Sequence, residues 1–315
     1  MSTDALTIVI VNWNAGSQLA AAVFSIAQYH HSLVDAVIIV DNASTDGSLA
    51  QVEALTGLPF RLQIIRNIDN QGFGAACNQG AKNSQARYLL FLNPDAALFP
   101  ETLKKSVTFM EEPANAQVGI CGIQLLDEAN EVARSCARFP SPFGFAAHAF
   151  GLVRLFPRLG HFMAEWPHDQ TQVVDQVIGA FFLVRRTTFE QLSGFDERFF
   201  VYFEEVDFSY RAHQAGWKSV YLADTQAFHA GGGTSNQIKS RRLFYSLRSR
   251  LLYAFKHFSL IGAWVVLLST LLLEPVTRTG YALLRGPWPA VKETWGGFAM
   301  LYRWLPQWVF KGVTR

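Results

Sequence analysis

Five acidic residues lie close together among aromatic side chains in the segment from Gly194 to Trp217, GFDERFFVYFEEVDFSYRAHQAGW. The pattern predicts a helix from about Phe203 to a stop at Gly216, with Asp196 as the N-cap of a short turn before it. Grouped carboxylates of this kind can carry out acid–base chemistry. The segment is therefore the first candidate for a catalytic site.

The spacing within this helix divides the acids by role. Asp207 precedes Arg211 by four positions, the favourable order for a helical ion pair, and Glu204 lies on the same face. These three residues are expected to support the structure. Glu205 is turned about 100° from Glu204 and has apolar neighbours, a setting that favours proton uptake by a carboxylate. Glu205 is therefore the candidate general base, although the helix dipole alone also favours acidic residues in a first turn.

Polar residues follow the short apolar runs in the first third of the chain. The runs at residues 6–11, 36–40, 62–66 and 87–92 have the composition of strands, and helical patterns follow the first three. This alternation predicts an α/β fold with a Rossmann-like, mostly parallel central sheet and helices on both faces, binding ligands at the carboxyl ends of the strands. The polar residues at or just beyond these ends are Asn12, Asn14, Asp41, Asn42, Asn70, Asn93 and Asp95.

Two of these strand ends carry a carboxylate that can bind a ligand. Asp41 can accept hydrogen bonds from a base or a ribose, or it can belong to an Asx-type turn that caps the next helix, the interpretation favoured for Asp46. Asp95, in the rigid turn Asn93-Pro94-Asp95, can bind a divalent cation such as Mg²⁺, or it can simply form the turn.

Two later positions extend this candidate site. His229 follows a predicted strand at residues 219–222 and precedes glycine-rich residues 231–234, a flexible loop able to close over a ligand. Residues 173–185 are predicted to form a strand in which Gly179 permits close approach of a substrate.

Taken in order, these motifs resemble the inverting glycosyltransferases of family 2, which have the GT-A fold, and most of all their rhamnosyltransferase branch. The resemblance covers about residues 6–235 and rests on VDNASTDGS, NQGFGAACNQG, LNPD, IGAFFLVRR and GFDERFFVYFEEVDFSYR, with the late histidine. It implies transfer of a sugar from a nucleoside diphosphate sugar to a hydroxyl. It also implies Asp41 at the nucleotide, Glu205 as the base, and Asp95 and His229 as contacts of Mg²⁺ or Mn²⁺.

Further positions follow from the same resemblance. The implied nucleotide-sugar contacts are Asn12, Asn14, Asp41, Asn42, Asn70, Gly72, Phe73, Asn78, Asn93 and Asp95, and the acceptor-binding or supporting positions are Gly179, Asp196, Glu204, Asp207 and Arg211. Two departures stand out. Asn93 replaces the first acid of the usual DxD and is a weaker cation ligand, so a modest metal affinity is expected. Glu204-Glu205 replaces the usual Glu-Asp, which lengthens the base by one methylene and leaves its chemistry unchanged.

The middle of the chain carries weaker signals. Residues 118–139 alternate apolar and polar positions around a turn at 127–130, which predicts a hairpin. Residues 140–170 are irregular and rich in proline. Local positive charge comes from Arg134, Arg138, Arg154 and Arg158. These arginines either meet an acceptor diphosphate or lie in a solvated loop, which is the default for such segments.

The C-terminal part has a different composition from the rest. Residues 237–315 contain twelve Lys or Arg and two Glu, a net charge of +10 that leaves −8 for residues 1–236, and they hold five of the eight tryptophans. Basic charge with interfacial aromatics indicates an anionic membrane surface as the partner. Nucleic acid is excluded because no recognised motif accompanies the charge.

A basic helix is predicted from about residue 237, followed by an uncharged run at 259–273. On the helix, one apolar stripe consists of Leu243, Leu247, Leu251 and Phe255, whereas Arg241, Arg248 and Lys256 lie off it. The fifteen-residue run is short of the ~20 residues that span a bilayer. Helices lying in the interface are expected, with a re-entrant hairpin or a buried core or dimer helix as alternatives.

Together these features predict a glycosyltransferase domain at 1–236 and a membrane-associating region at 237–315. The donor expected is dTDP-L-rhamnose, the acceptor a lipid-linked saccharide, and the location the cytoplasmic face of the inner membrane, with a homo-oligomer possible. Three widely spaced cysteines without a CxxC pair fit reduced thiols, and no secretory signal is recognised.

Alternative functions stay open at this level. A galactofuranosyl- or N-acetylhexosaminyltransferase using a UDP-sugar would have the same motifs. A nucleotidyltransferase would need a glycine-rich, basic loop after the first strand, where the chain has Asn12-Trp13-Asn14. A sugar-binding module without catalysis is compatible with Asn93, but it would have little use for Glu205.

Overall fold

A computed structural model describes residues 6–30, 32–163, 165–231, 239–285 and 288–315. The chain forms two compact units. Unit 1 comprises Met1–Ala137, Pro167–Glu197 and Glu205–Thr234, and unit 2 comprises Arg138–Trp166, Arg198–Glu204 and Ser235–Arg315. The predicted boundary between 236 and 237 did not anticipate that segments 138–166 and 198–204 group with the C-terminal residues.

In the first third of the chain, strands and helices alternate as predicted. The later elements differ from the prediction. The strands are β1 Leu6–Asn12, β2 Val34–Asp41, β3 Arg61–Arg66, β4 Tyr88–Leu92, β5 Ala96–Leu98, β6 Val118–Leu126, β7 Cys136–Ala137, β8 Gln172–Val174, β9 Gln176–Val177, β10 Phe181–Arg185 and β11 Lys218–His229. The helices are α1 Gln18–Tyr29, α2 Ser48–Glu53, α3 Phe73–Ala81, α4 Thr102–Glu111, α5 Pro142–Ala149, α6 Arg186–Gln191, α7 Glu204–Gln214, α8 Lys239–His257, α9 Leu260–Leu268, α10 Glu274–Arg285 and α11 Trp288–Lys311.

Unit 1 is built on a mixed sheet with the strand order β3-β2-β1-β4-β10-β6-β11-β5, and β8 pairs with β11. Strands β3, β2, β1 and β4 are all parallel, which confirms the predicted Rossmann-like half. Strand β10 is antiparallel to both of its neighbours, and β11 runs parallel to β6. The carboxyl ends of β1, β2 and β4 therefore lie at one edge of the sheet, as ligand binding at strand ends requires.

Side chains alternate between the two faces of the sheet along each strand, and successive residues of β1 and β4 are all buried. Both faces of the sheet are therefore covered by helices. On one face, Ile8 and Leu90 belong to a core that includes α1 and α4 residues. On the other face, Val9 contacts the α3 backbone so closely that a Cβ on Gly80 would lie 2.4 Å from it. This second face also packs an aromatic cluster formed by Phe91, Phe182, Phe189, Phe195 and Phe208. The cluster fixes α6 and α7 against the sheet.

Two predictions for the middle of the chain were only partly confirmed. A short hairpin forms around the turn at 127–130, with an antiparallel bridge between Leu126 and Val132 and a hydrogen bond from the Ala133 N–H to the Leu125 carbonyl, but its second arm leaves β6 before β7 pairs with β9 in a separate two-stranded sheet. The predicted strand 173–185 is three short strands, since a bend at Asp175 and a turn at 179–180 break it. Strand β6 is buried along its whole length between two layers, so its main partners are neighbouring strands of the sheet and not the second arm of the hairpin.

Strand β11 is longer than predicted. It extends through an irregularity after Leu222 and ends at His229, where the last three residues pair with β5. His229 thus lies at the end of the strand instead of following it. The predicted flexible loop falls largely on residues 232–234, outside the described ranges.

Unit 2 consists mainly of helices, and α9, a π-helical turn at Ser269–Leu273 and α10 form one continuous helix. Pro275, two residues beyond the predicted uncharged run, lies inside this helix. Pro275 has no N–H for the carbonyl of Leu271, and the Tyr302 hydroxyl donates to that carbonyl at 2.7 Å instead. Glu274 is buried and forms ion pairs with Arg250 and Arg278. The helix therefore continues beyond the predicted run at 259–273.

Within the described ranges, one helix, Leu260–Leu284, is long and apolar enough to cross a membrane by length and composition. A core helix of a soluble protein also passes this test. The sequence-based estimate of fifteen residues was too short, because it stopped at Glu274.

Candidate active site

The ends of β1 and β2 are joined by a buried polar network. The Asn12 side-chain amide, fully buried, donates to Asp41 Oδ1 at 2.7 Å, to Ser44 Oγ at 3.0 Å and to Ser48 Oγ at 2.9 Å. Asp41 also accepts from the Ser44 backbone N–H at 3.2 Å. Asn12 thus holds the Asp41 carboxylate at the strand end. Its side-chain NH₂ group donates only to side chains of the protein in this network.

The loops that follow these two strands are tied to each other. Asn14, with φ of 54°, accepts from the Thr45 N–H at 2.7 Å, and its own N–H donates to Ser44 Oγ at 3.0 Å. Asp46 accepts from Gly16 N–H at 2.7 Å and from Ser48 N–H at 3.0 Å. Burial raises the pKa of Asp46, but the hydrogen bonds from Ser48 and Gly16 outweigh it and lower the pKa overall. The turn interpretation of Asp46 agrees with these contacts.

The loop after β3 completes the same edge. Asn42 donates to the Gly72 carbonyl at 3.2 Å, and Asn70 accepts from the Gly72 N–H at 2.9 Å. Gly72 has φ of 86°, a conformation that favours glycine, and it is the N-cap residue of α3. A Cβ on Gly179 would lie 3.8 Å from the ring of Phe73. The structure therefore brings Asn42, Asn70, Gly72, Phe73 and Gly179 together in unit 1.

Asn78, expected at the nucleotide sugar, makes three contacts within the protein. Its amide donates to the Phe195 carbonyl at 2.9 Å and to Glu197 at 3.1 Å, and it accepts from the Phe195 N–H at 2.9 Å. Asn78 thereby anchors to α3 the loop that contains Asp196 and leads toward the acidic segment. Sequence reasoning missed this anchoring role, for which the only signal was an amide on the predicted helix.

A carboxylate, an imidazole and an amide converge where β4 and β11 end. His229 Nε2 lies 3.4 Å from Asp95 Oδ1 and 3.4 Å from Asn93 Nδ2. The turn is fixed to the sheet, because the Asn93 N–H donates to the Ala180 carbonyl at 3.0 Å and the Ala230 N–H to the Asp95 carbonyl at 3.1 Å. Asp95 and His229 are far apart in the sequence, and the family resemblance implied that both contact one cation.

This donor set suits a hard divalent cation. One carboxylate and one imidazole at this distance leave most coordination positions to other ligands, as for Mg²⁺ sites shared with substrate phosphates. In the described residues no group of three or more His, Cys, Asp or Glu side chains could hold a metal by itself. The geometry therefore fits a cation that is held jointly by Asp95, His229 and a diphosphate.

The acidic segment enters α7 through strained backbone. Tyr202 and Phe203 have φ of 65° and 72°, the left-handed region that bulky residues rarely adopt. Helix α7 begins at Glu204, which is buried, whereas Glu205 is half-buried. Strain of this kind is typical of functional sites and of turns that aim one side chain. The two positive φ values had no signal in the sequence.

The support predicted within α7 is present. Arg211 Nε donates to Asp207 Oδ2 at 2.7 Å, and Asp207 is fully buried. The same guanidinium donates to the carbonyls of Leu192 at 2.7 Å and Gly194 at 2.9 Å. Arg211 therefore ties α7 to the loop before the acidic segment and neutralises Asp207.

Within unit 2, two of the four middle arginines, Arg138 and Arg154, have partners. Arg138 forms an ion pair with Glu165, and Arg154 stacks 3.5 Å from the ring centroid of Tyr281. Arg138 and Arg158 line a cavity of about 190 Å³ within this unit. These arginines are thus part of a folded unit and not only of a solvated loop.

Comparison with known proteins agrees with this architecture. The family model described as "Glycosyl transferase family 2" matches residues 7–193. A relative from Mycobacterium tuberculosis, N-acetylglucosaminyl-diphospho-decaprenol L-rhamnosyltransferase, is 29% identical over 72% of this chain and 76% of its own length. Rhamnosyltransferase WbbL of Escherichia coli is 27% identical over 53% of this chain and 61% of its own length.

Solved structures share the fold at low sequence identity. Mannosyltransferase PcManGT from Pyrobaculum calidifontis, in complex with GDP-Man and Mn²⁺, has a TM-score of 0.56 at 17% identity, covering 97% of this chain and 87% of that one. TarS of S. aureus, residues 1–349, has a TM-score of 0.56 at 15% identity, covering 97% of this chain and 82% of that one. These similarities show the GT-A fold.

Proposed function

Because this chain belongs to glycosyl transferase family 2 and is similar to rhamnosyltransferases, we propose that it transfers L-rhamnose from dTDP-L-rhamnose to a hydroxyl of a lipid-linked saccharide. The observation that carries the proposal is the convergence of Asp95, Asn93 and His229 at the strand ends, beside the Asn12–Asp41 network. A nucleoside diphosphate sugar needs two binding regions. The Asn12–Asp41 network suits its nucleoside, and the group around Asp95 suits its diphosphate.

In this proposal the donor lies along the carboxyl ends of the strands of unit 1. Asp41, held by Asn12, accepts hydrogen bonds from the nucleoside. Asp95 and His229 would hold Mg²⁺ or Mn²⁺, whose charge would offset that of the leaving diphosphate. Gly179, next to Phe73, leaves room for the bound sugar since it has no side chain.

Glu205 acts as the general base in a single displacement. Its carboxylate takes the proton from the acceptor hydroxyl as that oxygen bonds to the anomeric carbon, and the bond from this carbon to the diphosphate oxygen breaks. The displacement inverts the configuration and releases the nucleoside diphosphate. The strained residues Tyr202 and Phe203 set the direction in which α7 begins, and hence the direction of Glu205.

Turnover assays with a panel of donors test the donor assignment. Purified protein with membrane extract as the acceptor source receives dTDP-L-rhamnose, UDP-galactofuranose or UDP-N-acetylglucosamine, and nucleoside diphosphate release is measured. The highest kcat/KM is expected with dTDP-L-rhamnose. A higher value with either UDP-sugar would replace rhamnose as the substrate and leave the family unchanged.

We further propose that unit 2 binds the cytoplasmic face of the inner membrane. Its continuous helix exposes an apolar stripe at helical spacing, formed by Ile261, Val265, Leu268, Leu272, Val276 and Leu283. Exposed apolar surface of this extent marks a membrane or partner surface, and the net charge of +10 in residues 237–315 favours anionic lipid. Both observations support lipid as the occupant of the stripe.

Flotation with liposomes tests the membrane proposal. Full-length protein should float with anionic vesicles, and detergent should release it more completely than high salt because apolar contacts persist in salt. The double variant Leu272→Lys/Val276→Lys should float less well, although it adds positive charge. Recovery of the wild-type protein in the bottom fraction would refute membrane binding.

A further inference from the structure

The cavity of unit 2 is formed by two short stretches of the chain, 138–145 and 158–161. Its volume of about 190 Å³ far exceeds the roughly 10–15 Å³ that one water molecule needs, so it can hold a polar group of several atoms. Both stretches belong to unit 2, and among the described residues that line the cavity none is a carboxylate. The cavity is therefore built from residues that the sugar-transfer proposal does not use.

Two guanidinium groups give this cavity a positive charge. Arg138 forms an ion pair with Glu165, and Arg158 is exposed. The hydrogen bond from Arg138 lowers the pKa of Glu165, and the charge of Arg158 acts in the same direction, so both arginines lie near one carboxylate. The third ionisable lining residue, His161, is neutral at pH 7 because burial, with a smaller effect of Arg250, lowers its pKa to about 4. Two positive charges beside one negative charge suit the cavity to an anion.

Ser141 adds a hydrogen-bond donor to this charge. Its hydroxyl oxygen accepts from the Gly144 N–H at 3.0 Å as the N-cap of α5, which leaves the hydroxyl hydrogen for a ligand oxygen. A guanidinium presents its N–H groups in a plane that matches two oxygens of a phosphate. The lining donors, Arg138, Arg158 and Ser141, therefore fit a phosphate group.

Large apolar side chains around the cavity are exposed. One of them lines it and the others lie within three residues of a lining position, and they are between 54% and 74% exposed: Phe143, Leu155, Phe156 and Phe162. A free anion makes no use of apolar surface, whereas exposed apolar side chains grouped together mark a site for an apolar partner. Cationic donors with apolar surroundings match an amphiphile whose head group is anionic.

The segment that carries the cavity packs along the continuous helix for which lipid contact is proposed. At one end, a Cβ on Gly262 would lie 2.8 Å from the proline that begins α5. Further along, the Thr277 hydroxyl donates to the Ala149 carbonyl at 2.7 Å. The neighbours of these two helix positions, Ile261 and Val276, are exposed members of the apolar stripe. The segment therefore lies beside the surface that is proposed to enter the lipid.

We propose that the cavity binds the phosphate group of an anionic membrane phospholipid, with Arg138, Arg158 and Ser141 as its polar contacts and the exposed apolar side chains around it against the acyl chains. Residues 138–166 contain three arginines and one glutamate, a net charge of +2 that agrees with an anionic lipid. In a cell, phospholipid reaches this surface only if unit 2 binds the membrane, so the site depends on that part of the proposed function. A head-group site predicts a preference among lipids beyond general charge attraction.

A soluble short-chain lipid tests the site without a membrane. Calorimetry measures the affinity of the full-length protein for dihexanoyl phosphatidylglycerol below its micelle concentration. Arg158→Gln should weaken binding about ten- to a hundredfold, because it removes a charged hydrogen-bond donor. Arg241→Gln removes the same charge from an exposed position of α8 and should bind as the wild type does. Equal affinities for the two variants would refute the site.

Inorganic phosphate distinguishes a lipid head group from a free anion. It should bind at least about tenfold more weakly than the short-chain lipid, because it lacks the apolar part. Phe143→Ser should weaken lipid binding about tenfold and leave phosphate binding unchanged. The control Phe24→Ser, at an exposed position of α1, should change neither. Phosphate binding as tight as lipid binding, or equal loss of both ligands in Phe143→Ser, would overturn the lipid assignment.

An acceptor linked to its lipid through a diphosphate is a competing source of phosphate. In uncharged detergent micelles without phospholipid, the KM of such an acceptor should be the same for Arg158→Gln as for the wild type. A rise of about tenfold or more in that KM would assign the cavity to the acceptor and overturn the phospholipid assignment.

Flotation separates failure of the site from failure of membrane binding. With phosphatidylglycerol vesicles, Arg158→Gln should float less well than Arg241→Gln, which loses only general charge attraction, at most about fivefold. Flotation of the wild type without a difference between the two variants would refute the site and leave the proposed membrane binding intact. Wild-type protein that stays in the bottom fraction, yet binds the short-chain lipid through Arg158, would refute membrane binding and keep the site.

Discussion

Unit 1 and unit 2 handle buried polar groups in different ways. In unit 1, the buried Asn12 and Asp41 and the half-buried Asn78 are held by hydrogen bonds to neighbours at the strand ends and loops. In unit 2, charged side chains are buried among apolar and aromatic ones, as with Arg250 and Glu274 or Arg248 among aromatic rings. The hydrogen bonds in unit 1 fix the orientation of the polar side chains. In unit 2, the free-energy cost of each buried charge depends on whether a charged partner lies beside it.

The largest expected effect concerns the chemistry assigned to unit 1. Glu205→Gln keeps the size of the side chain and removes the base, so kcat should fall by about 10² to 10⁴ with the donor KM nearly unchanged. Release of nucleoside diphosphate under saturating substrates measures it. Glu190→Gln, at an exposed acid of α6, is the matched control and should retain wild-type kcat. A kcat for Glu205→Gln within a few-fold of wild type would show that another group takes the proton.

The contrast between the units also explains what the sequence could and could not predict. The family resemblance implied that Asp95 and His229 contact one cation, and their side chains lie 3.4 Å apart in the structure, at the ends of strands whose order the topology sets. The continuous helix was missed because the burial of Glu274 depends on Arg250, a residue distant in sequence. Arg248, expected off the apolar stripe, is nevertheless buried, since periodicity describes one face of a helix and not what packs on the others.

Backbone strain lies equally beyond sequence patterns. Tyr202 and Phe203 adopt positive φ although neither residue type favours it. Such a conformation persists only where the surrounding contacts impose it. The ring of Phe203 lies 6.0 Å from that of Phe145 and 5.6 Å from that of Tyr253, both in unit 2. Contacts so far apart in sequence give no local signal.

A second test compares a buried ion pair of unit 1 with an exposed one. Arg211→Met leaves the buried Asp207 without this partner and removes two hydrogen bonds to carbonyls, so the free energy of unfolding should fall by about 3 kcal/mol. Arg61→Met breaks the exposed pair with Asp35 and should cost less than about 1 kcal/mol. Chemical denaturation measures both. Equal losses would mean that burial of the Asp207 pair is not what stabilises α7.

A third test addresses the proposed cation site at the strand ends. Asp95→Ala should weaken activation by Mg²⁺ or Mn²⁺ and donor binding together, each by roughly ten- to a hundredfold, because the cation would contact both the protein and the diphosphate. Metal titrations of activity and donor binding by calorimetry measure the two effects. Asp224→Ala, at an exposed acid of β11, should leave both curves unchanged. Metal titrations of Asp95→Ala that overlay the wild-type curve would remove Asp95 from the site.

The smallest expected effect belongs to unit 2 and depends on pH. Burial, with smaller effects from the nearby Arg250, lowers the pKa of His148 and of His161 to about 4, below the ordinary value near 6.5. Between these values the unfolded state binds more protons than the folded state. The stability is therefore complete above pH 6.5 and declines as the pH falls toward 4. At pH 5 the loss from His161 is at most about 2 kcal/mol.

Thermal unfolding of full-length protein between pH 7.5 and 4.5 measures this decline, and His161→Gln supplies the control. A glutamine does not titrate, so the variant should lose less stability than the wild type between pH 7 and pH 5, whatever its stability at pH 7. Parallel pH curves for the two proteins would show that His161 takes up its proton over the same pH range in the folded and unfolded states, and that unit 2 does not keep it neutral by burial.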